Sequence, residues 1–551
     1  MMKKTHNLFF IQTIYILLLL SGCATVPPDI TERSSENTFI QEEHDISALI
    51  AQYPGNPKLY LQRASLYSKQ KLYPKAIQDC STAIRLNPGL YEAFFLRGEM
   101  YYYMNHYSMA IKDFDRALMF NPKEPALYML RGKTYLKMDQ PHNALDNFIS
   151  AEQLHYTASG LYYHLASTHY ELNNYSTALE YCNKAVDVEP KQPEYYYLSG
   201  RIHYLQNEYD NALKSFDRMI ALNRSDIRGY LALADVYAKQ NQHKNAFAEY
   251  TRALEINPDS VHALTGKAAA AIHLKNYPAA EQAVERASKL APDDIDLRLV
   301  RGILFYEQNL YSASIPELNA VIIADPGNYE ARTKRAHALL QTSSFHTAIT
   351  DLTVLIQNSP ENGSFYLWRG MAYNGIKDPR SEDDLRKALA LMPDNPDIYF
   401  ELGIAGYNQD HDEDAIFNFS KAISLNNNLS NAYLYRGLIY AKTALEWALD
   451  DFNTCIKLDP DNMLAYSSRA HYFRNTMKFR QAIDDFSFIL SRDPQNAEIL
   501  YERGRTFLMI NELDKALDDF NGALRIAPDT NEELKSRITH DIDALLRSLE
   551  Q

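Results

Sequence analysis

Residues 91–122 read YEAFFLRGEMYYYMNHYSMAIKDFDRALMFNP, and their spacing decides the architecture of the whole chain. Apolar and small side chains recur three and four residues apart, which places them on one face of a helix. Gly98 follows Phe94 by four residues, Ala110 comes twelve residues after Gly98, and Phe114 four after that. Two helices crossing at the small residues bring their backbones close, and the neighbouring rings fill the crossing. Pro122 ends the second helix and sets the turn into the next segment.

Outward from this stretch the same pattern returns with a fixed period. Prolines mark it at Pro54, Pro88, Pro122, Pro190, Pro258, Pro292, Pro326, Pro360, Pro393, Pro460, Pro494 and Pro528, with Tyr156, Arg224 and Asn427 as substituted marks. The 474 residues from Pro54 to Pro528 accommodate twelve units of 34 residues and two of 33, fourteen in all. Ten residues after each mark stands a small residue: Ala64, Gly98, Gly132, Ala166, Gly200, Ala234, Ala268, Gly302, Ala336, Gly370, Gly403, Gly437, Ala470 and Gly504. An aromatic usually precedes this small slot by four, as at Tyr60, Phe94 and Tyr128. A bulky filler such as Cys80, Phe114 or Phe148 lies sixteen after it.

This pattern resembles the tetratricopeptide repeat (TPR) family over about residues 45–551. The resemblance implies an all-α fold, a right-handed α-solenoid of about fourteen helix-turn-helix repeats over residues 45–528. Residues 529–551 carry Leu534, Ile538, Ile542, Leu546 and Leu549 at helical spacing and fit a C-terminal capping helix. The two 33-residue units lose one residue in the inter-helix turn, around Asp378-Pro379 and Thr443-Ala444. Pro316 lies inside the second helix of the eighth unit and predicts a delayed or kinked helix there.

The repeats also provide an internal comparison. Nine units carry arginine just before the small slot: Arg63, Arg97, Arg131, Arg301, Arg335, Arg369, Arg436, Arg469 and Arg503. Eight of these place an acid just before the filler: Asp79, Asp113, Glu317, Asp351, Asp384, Asp451, Asp485 and Asp519. Of the five units without that arginine, one has the acid, Glu249. An Arg–carboxylate pair between the two helices of a repeat follows, which makes these arginines structural.

The N-terminus reads differently. Lys3 and Lys4 precede an apolar run from Leu8 to Leu20, too short to cross a bilayer of about 30 Å. The run meets Leu20-Ser21-Gly22-Cys23, which resembles the lipobox of bacterial lipoproteins. The resemblance implies removal of residues 1–22 as a lipoprotein signal peptide and lipidation of Cys23. Ala24, where an aspartate would favour inner-membrane retention, points to the outer membrane. Residues 23–44, with two prolines and no sustained periodicity, read as a lipidated flexible tether.

Composition narrows the chemistry. The 551 residues hold 70 Asp+Glu against 56 Lys+Arg, an acidic balance that argues against nucleic-acid binding. Four cysteines exclude a disulfide scaffold, and Cys80, Cys182 and Cys455 occupy core positions. Of 19 glycines, eight fill the small slot and one lies in the lipobox, leaving little for phosphate-cradling loops. No phosphate loop, nucleophile elbow or HExxH motif occurs. His164 and His169, five apart, point to different sides of their helix, which disfavours a metal site.

Forty tyrosines need accounting, and about half fall in repeat-packing positions. In the TPR family first helices line the inner, concave surface. The matching face in repeats two to five offers Phe95, Tyr102, Tyr103, Tyr163, Tyr170, Tyr197 and Tyr204, with Arg201 and Glu99 beside them. Rigid rings with polar tips suit a groove for an extended peptide or a glycan; the alternative is that they pack between adjacent first helices. The Lys/Asn clamp for chaperone C-termini and the asparagine ladder of nucleocytoplasmic glycosyltransferase repeats both lack their residues here.

The resulting expectation is a non-catalytic protein-interaction scaffold, lipid-anchored on the periplasmic face of a bacterial outer membrane. It has no cofactor, no metal and no nucleic-acid partner. Its partners are envelope proteins or peptides, with the membrane engaged through the lipid. The alternative is a glycan-binding or polysaccharide-export accessory lipoprotein that uses the aromatic groove.

Overall fold

The computed structural model describes residues 28–443, 446–528 and 531–549, and every regular element among them is an α-helix. The chain divides between Pro258 and Asp259 into two compact units. The first holds repeats one to six; the second holds repeats seven to fourteen and the terminal helix. In the second repeat the two helices are Tyr91–Tyr103 and Tyr107–Phe120. Within each unit, first helices of successive repeats pack on one another and form a common layer.

Each crossing is filled as the spacing requires. A Cβ added to Gly98 would lie 2.7 Å from the Phe114 ring, and one added to Gly200 would lie 2.5 Å from Phe216. Where the slot is alanine the filler is often smaller, as in Ala64 with Cys80 and Ala166 with Cys182, all fully or almost fully buried. The volume at the crossing is therefore shared between two positions sixteen residues apart.

The eight Arg–carboxylate pairs are all present. Arg97 donates from Nε and Nη2 to Asp113, each at 2.8 Å, and Arg63, Arg335, Arg369, Arg436, Arg469 and Arg503 repeat this two-point geometry. Arg301 reaches Glu317 through a single bond of 2.6 Å. In the third repeat Asn147 stands in for the acid and accepts from Arg131 at 2.7 Å. Every one of the nine arginines also uses Nη1 to reach the element before its own repeat. Arg97 donates to Ser81 at 3.0 Å, Arg131 to Asp115 at 2.6 Å and Arg335 to Asn319 at 2.7 Å. The guanidinium thus joins three helices, and in the seven two-point pairs the contact inferred from spacing is two bonds of three.

The turn between the helices is equally regular. Thirteen of these turns place a non-glycine residue at positive φ, seven after the small slot, from Lys71 (φ 58°) to Asn511 (φ 60°). Asparagine tolerates this left-handed conformation better than most residues. Asn105, Asn173, Asn207 and Asn309 also accept, at 2.7–2.8 Å, the hydroxyl of the tyrosine two residues on. These Asn-x-Tyr turns assign Tyr107, Tyr175, Tyr209 and Tyr311 to the repeat.

Four local expectations change. Residues 23–44 were expected as a tether, but a helix spans Pro28–Gln52. Phe39, Glu43 and Ser47, spaced by four, dock it on the first repeat. Phe39 lies 6.5 Å from the Tyr67 ring, Tyr67 donates to Glu43 at 2.6 Å, and Arg63 to Ser47 at 3.0 Å. Only one of those three side chains is apolar, which hides the stripe from a hydrophobicity pattern. Pro316 does not delay its helix, which runs Tyr311–Ala324 with Leu318, Val321 and Ile322 buried beyond the proline. The missing residue of the tenth unit comes from the second helix, which is eleven residues long (Ser381–Leu391), while Lys377 keeps the usual turn at φ 55°. The terminal helix, Glu532–Leu549, buries Leu534, Ile538 and Leu545 rather than Leu546, which is 43% exposed. A 3.6-residue period carries the stripe from Ile538 to Leu545, and the adjacent leucine faces outward.

Cys80, Cys182 and Cys455 are free and buried, and burial raises their thiols to about 12, 12 and 11.

Candidate functional site

The aromatic candidates lie on three first helices of the first unit: Tyr91–Tyr103, Ser159–Glu171 and Pro193–Leu205. Phe95 and Tyr197 stand three before the small slot and tilt against their own fillers, Phe114 at 6.4 Å and Phe216 at 6.1 Å between ring centroids. Tyr163 has the same place, but its filler is Cys182, and its ring stacks instead on Tyr195 of the next repeat at 5.4 Å. Tyr102, Tyr170 and Tyr204 stand four after the slot. Each lies against the tyrosine that opens the second helix of its repeat: Tyr107 at 6.0 Å, Tyr175 at 6.0 Å and Tyr209 at 6.1 Å. Tyr306 and Tyr311 form the same pair in the eighth repeat at 5.7 Å. These six side chains are half-buried, and their rings are held by intra-repeat or neighbouring packing.

Two candidates are exposed. Tyr103 stacks on Tyr73 of the first repeat at 5.6 Å, with its hydroxyl 3.5 Å from Glu99. The Arg201 guanidinium lies 5.2 Å from the Tyr170 ring and 5.9 Å from the Tyr197 ring. Arg228 on the following first helix stands 5.0 Å from Tyr197 and pairs with Asp226 at 2.5 Å and Glu194 at 3.4 Å. The structure therefore joins Tyr170, Arg201 and Tyr197 in a cation–π series that Arg228 extends. Phe95, Tyr102 and Tyr103 form a separate group, because the third repeat places Met129, Leu136 and Lys137 at the equivalent positions.

Partial burial dehydrates this face. It raises the Glu99 carboxyl and the Tyr102, Tyr103, Tyr163 and Tyr204 phenols, and lowers the Lys133 amine. His164 stacks on Phe148 at 5.5 Å and His169 on Tyr181 at 5.6 Å, so the two rings serve different contacts. Among the described residues no three His, Cys, Asp or Glu side chains gather to hold a metal ion.

The position two before the small slot holds side chains that the sequence reading passed over. It reads Gln62, Leu96, Leu130, His164 and Leu198 in repeats one to five, but Trp368, Glu401 and Tyr435 in repeats ten to twelve. Continuing that column along the chain is the signal that finds them. Cys23 and the lipobox lie outside the described residues.

Family profiles of the tetratricopeptide repeat match residues 57–90, 91–124, 129–187, 163–227, 276–329, 299–361 and 467–530, together more than half of the chain. A profile described as anaphase-promoting complex, cyclosome, subunit 3 matches residues 205–287. A UDP-N-acetylglucosamine--peptide N-acetylglucosaminyltransferase of Giardia intestinalis is 34% identical over 90 residues, which is 16% of this chain and 6% of that protein's length. Among solved structures, YrrB, described as a TPR protein with an unusual peptide-binding site, shares 21% identity over 34% of this chain and 97% of its own, with a TM-score of 0.32. Yeast Tom70 shares 14% identity over 77% of this chain and 96% of its own, with a TM-score of 0.36. The repeat spacing, the filled helix crossings and the family profiles agree: the chain belongs to the tetratricopeptide repeat family and is an all-α TPR solenoid.

Proposed function

We propose that this chain is a non-catalytic scaffold that assembles partner proteins or peptides on its first-helix face, held by lipid on Cys23 at the periplasmic side of a bacterial outer membrane. The observation that carries the scaffold reading is the division of labour between the surfaces packed inside the repeats and the first-helix face. Fillers, Arg–carboxylate pairs and Asn-x-Tyr turns consume the surfaces between helices. The layer of first helices keeps polar-tipped rings and charges such as Tyr103 and Arg201 on its open face. Side chains already fixed by packing lose little freedom on binding, which favours recognition of an extended segment. The anchor rests on Leu20-Ser21-Gly22-Cys23 and the apolar run before it. A glycan-binding role would use the same aromatic face, and no separate observation favours it.

Crosslinking in intact envelopes followed by pull-down, set beside a glycan array, separates the two readings. Stable protein partners are expected; clear saccharide binding with no protein partner refutes the scaffold. Cys23→Ser should abolish lipidation and release the protein from the membrane fraction, and a serine variant that still fractionates as a lipoprotein refutes the anchor.

A further inference from the structure

The second unit carries a first-helix face of different chemistry. Trp368 and Glu401, both two before a small slot, lie on helices Gly363–Gly375 and Pro396–Asn408. With His337, Met371, Phe400 and Asp397 they line an open groove of about 440 Å³ that ends at the first turn of the helix Ser430–Lys442. Its lining includes two carboxylates and no lysine or arginine. Asp397 and Glu401 are four apart on one helix and so share a face.

Glu401 is held by a neutral partner. Its Oε2 accepts from Asn374 Nδ2 at 2.7 Å, and the same amide donates to the Glu401 carbonyl oxygen at 2.9 Å. Asn374 is 6% exposed, and its Oδ1 has no hydrogen-bond partner. Burial raises the Glu401 carboxyl to about 7; the Asn374 bond opposes this rise and the Asp397 charge adds to it. Among the described residues, the other charged or titratable groups packed around it bring no free cation. Burial, and then the Lys334 charge, lowers the His337 imidazole below its usual range, and the ring shares a 3.0 Å hydrogen bond with the Tyr306 hydroxyl. Tyr435 faces Glu401 from the next first helix, and Lys442 on that helix is engaged by Asp412 at 2.7 Å. A half-buried carboxylate with only an amide for a partner is relieved by an incoming cation. The wall beside it is aromatic: the Trp368 ring lies 5.0 Å from His337, and Phe400 lies 5.8 Å from Phe419.

We propose that this groove receives a lysine or arginine side chain of an extended partner segment, the cation meeting Glu401 and Asp397 and the aliphatic stem lying along Trp368, Met371 and Phe400. Both acidic complementarity and an apolar wall are needed, since long basic side chains bury their stems and keep their heads on charge. The inference rests on the scaffold reading and adds a specificity to it.

The test uses the immobilised full-length chain and pools of short peptides with randomised flanks and a fixed central arginine, lysine or citrulline, the last being neutral and nearly isosteric with arginine. The arginine and lysine pools should be retained about tenfold over the citrulline pool. Glu401→Gln should abolish that preference, and Asp397→Asn, at an exposed position in the first turn, should reduce it without a change in the circular-dichroism melt. The preference should also grow from about pH 6 to about pH 8, as Glu401 sheds the proton that competes with the ligand. Equal retention of arginine and citrulline pools overturns the groove and leaves the scaffold standing, as does an arginine preference that survives in folded Glu401→Gln. Retention of no pool likewise overturns the groove, while the scaffold reading stands or falls by the envelope crosslinking.

Discussion

Removing the carboxylate from one Arg rivet should cost far more than replacing it by its own amide, and the second repeat is the place to measure this. Arg97 makes two 2.8 Å bonds to Asp113 and one of 3.0 Å to Ser81, with side-chain exposures of 20% for the arginine and 7% for the aspartate. Asp113→Ala leaves a mostly buried guanidinium holding one neutral bond, and breaking a buried pair from one side costs about 3–5 kcal/mol. The 20% exposure lets water recover part of that, so the lower end, about 3 kcal/mol, is expected. Asp113→Asn is different, because the third repeat shows an asparagine accepting from the arginine at this position, with Asp115 as that arginine's carboxylate partner where Arg97 has only Ser81. There Asn147 accepts from Arg131 at 2.7 Å and donates to the Asn143 carbonyl at 2.7 Å. Its cost should be that of a charge-assisted bond becoming neutral, about 1 kcal/mol. Hydrogen exchange resolved along the chain is the assay, since a repeat array opens locally. Amides of residues 91–120 should lose protection in proportion to these values, while those of residues 463–492 in the other unit stay unchanged. The reasoning fails if Asp113→Ala costs less than about 1 kcal/mol, or if the asparagine variant is as damaging as the alanine one.

Three further outcomes follow from the same geometry. Gly98→Ala puts a Cβ 2.7 Å from the buried Phe114 ring and should destabilise by about 1–3 kcal/mol despite better helix propensity; adding Phe114→Cys, which copies the Ala64/Cys80 crossing, should restore part of it in a urea titration. Met477 holds φ 61° while 80% exposed, so Met477→Asn should raise the stability of its repeat by about 1 kcal/mol in local hydrogen exchange. His164 is lowered to about 4, chiefly by burial and then by the Lys133 charge. A histidine neutral in the fold but protonated when unfolded contributes stability that is complete above about pH 6.5 and lost as pH falls toward 4. His164→Phe should flatten the melting temperature over that window; a variant with the slope of the parent chain refutes the assignment.

Much of the repeat was legible because its determinants are local. The slot at Gly98 and the filler at Phe114 are sixteen residues apart and meet across one turn, so volume exchange between them shows in the letters. The Arg97–Asp113 pair was legible for the same reason, as a charge correlation that the repeats themselves replicate. The bond from Arg97 to Ser81 was not, because serine at that position alternates with Asp115, Asn319 and Thr353, and no single residue type signals it. The candidate face suffered from a related ambiguity. Tyr102 and Tyr103 are adjacent tyrosines, yet one packs on Tyr107 and the other is 50% exposed. A tyrosine left over from the first tally of the repeat is not thereby free for a ligand, and only its neighbours decide.

By itself the sequence determined the period, the all-α class, the small-slot crossings and the acid paired with each of eight arginines, since each arises within one helix pair whose geometry the spacing dictates. The tertiary structure decided what depends on a neighbouring repeat or a distant turn. It docked Phe39, Glu43 and Ser47 on the first repeat, chose Leu545 over Leu546 for the terminal stripe, and turned most of the selected rings inward. It also set Glu401 against Asn374, 27 residues away, on adjacent first helices. The physical reason is the same in each case: periodicity states which face a residue occupies, while burial and partnership are set by the side chains that the next repeat brings to that face.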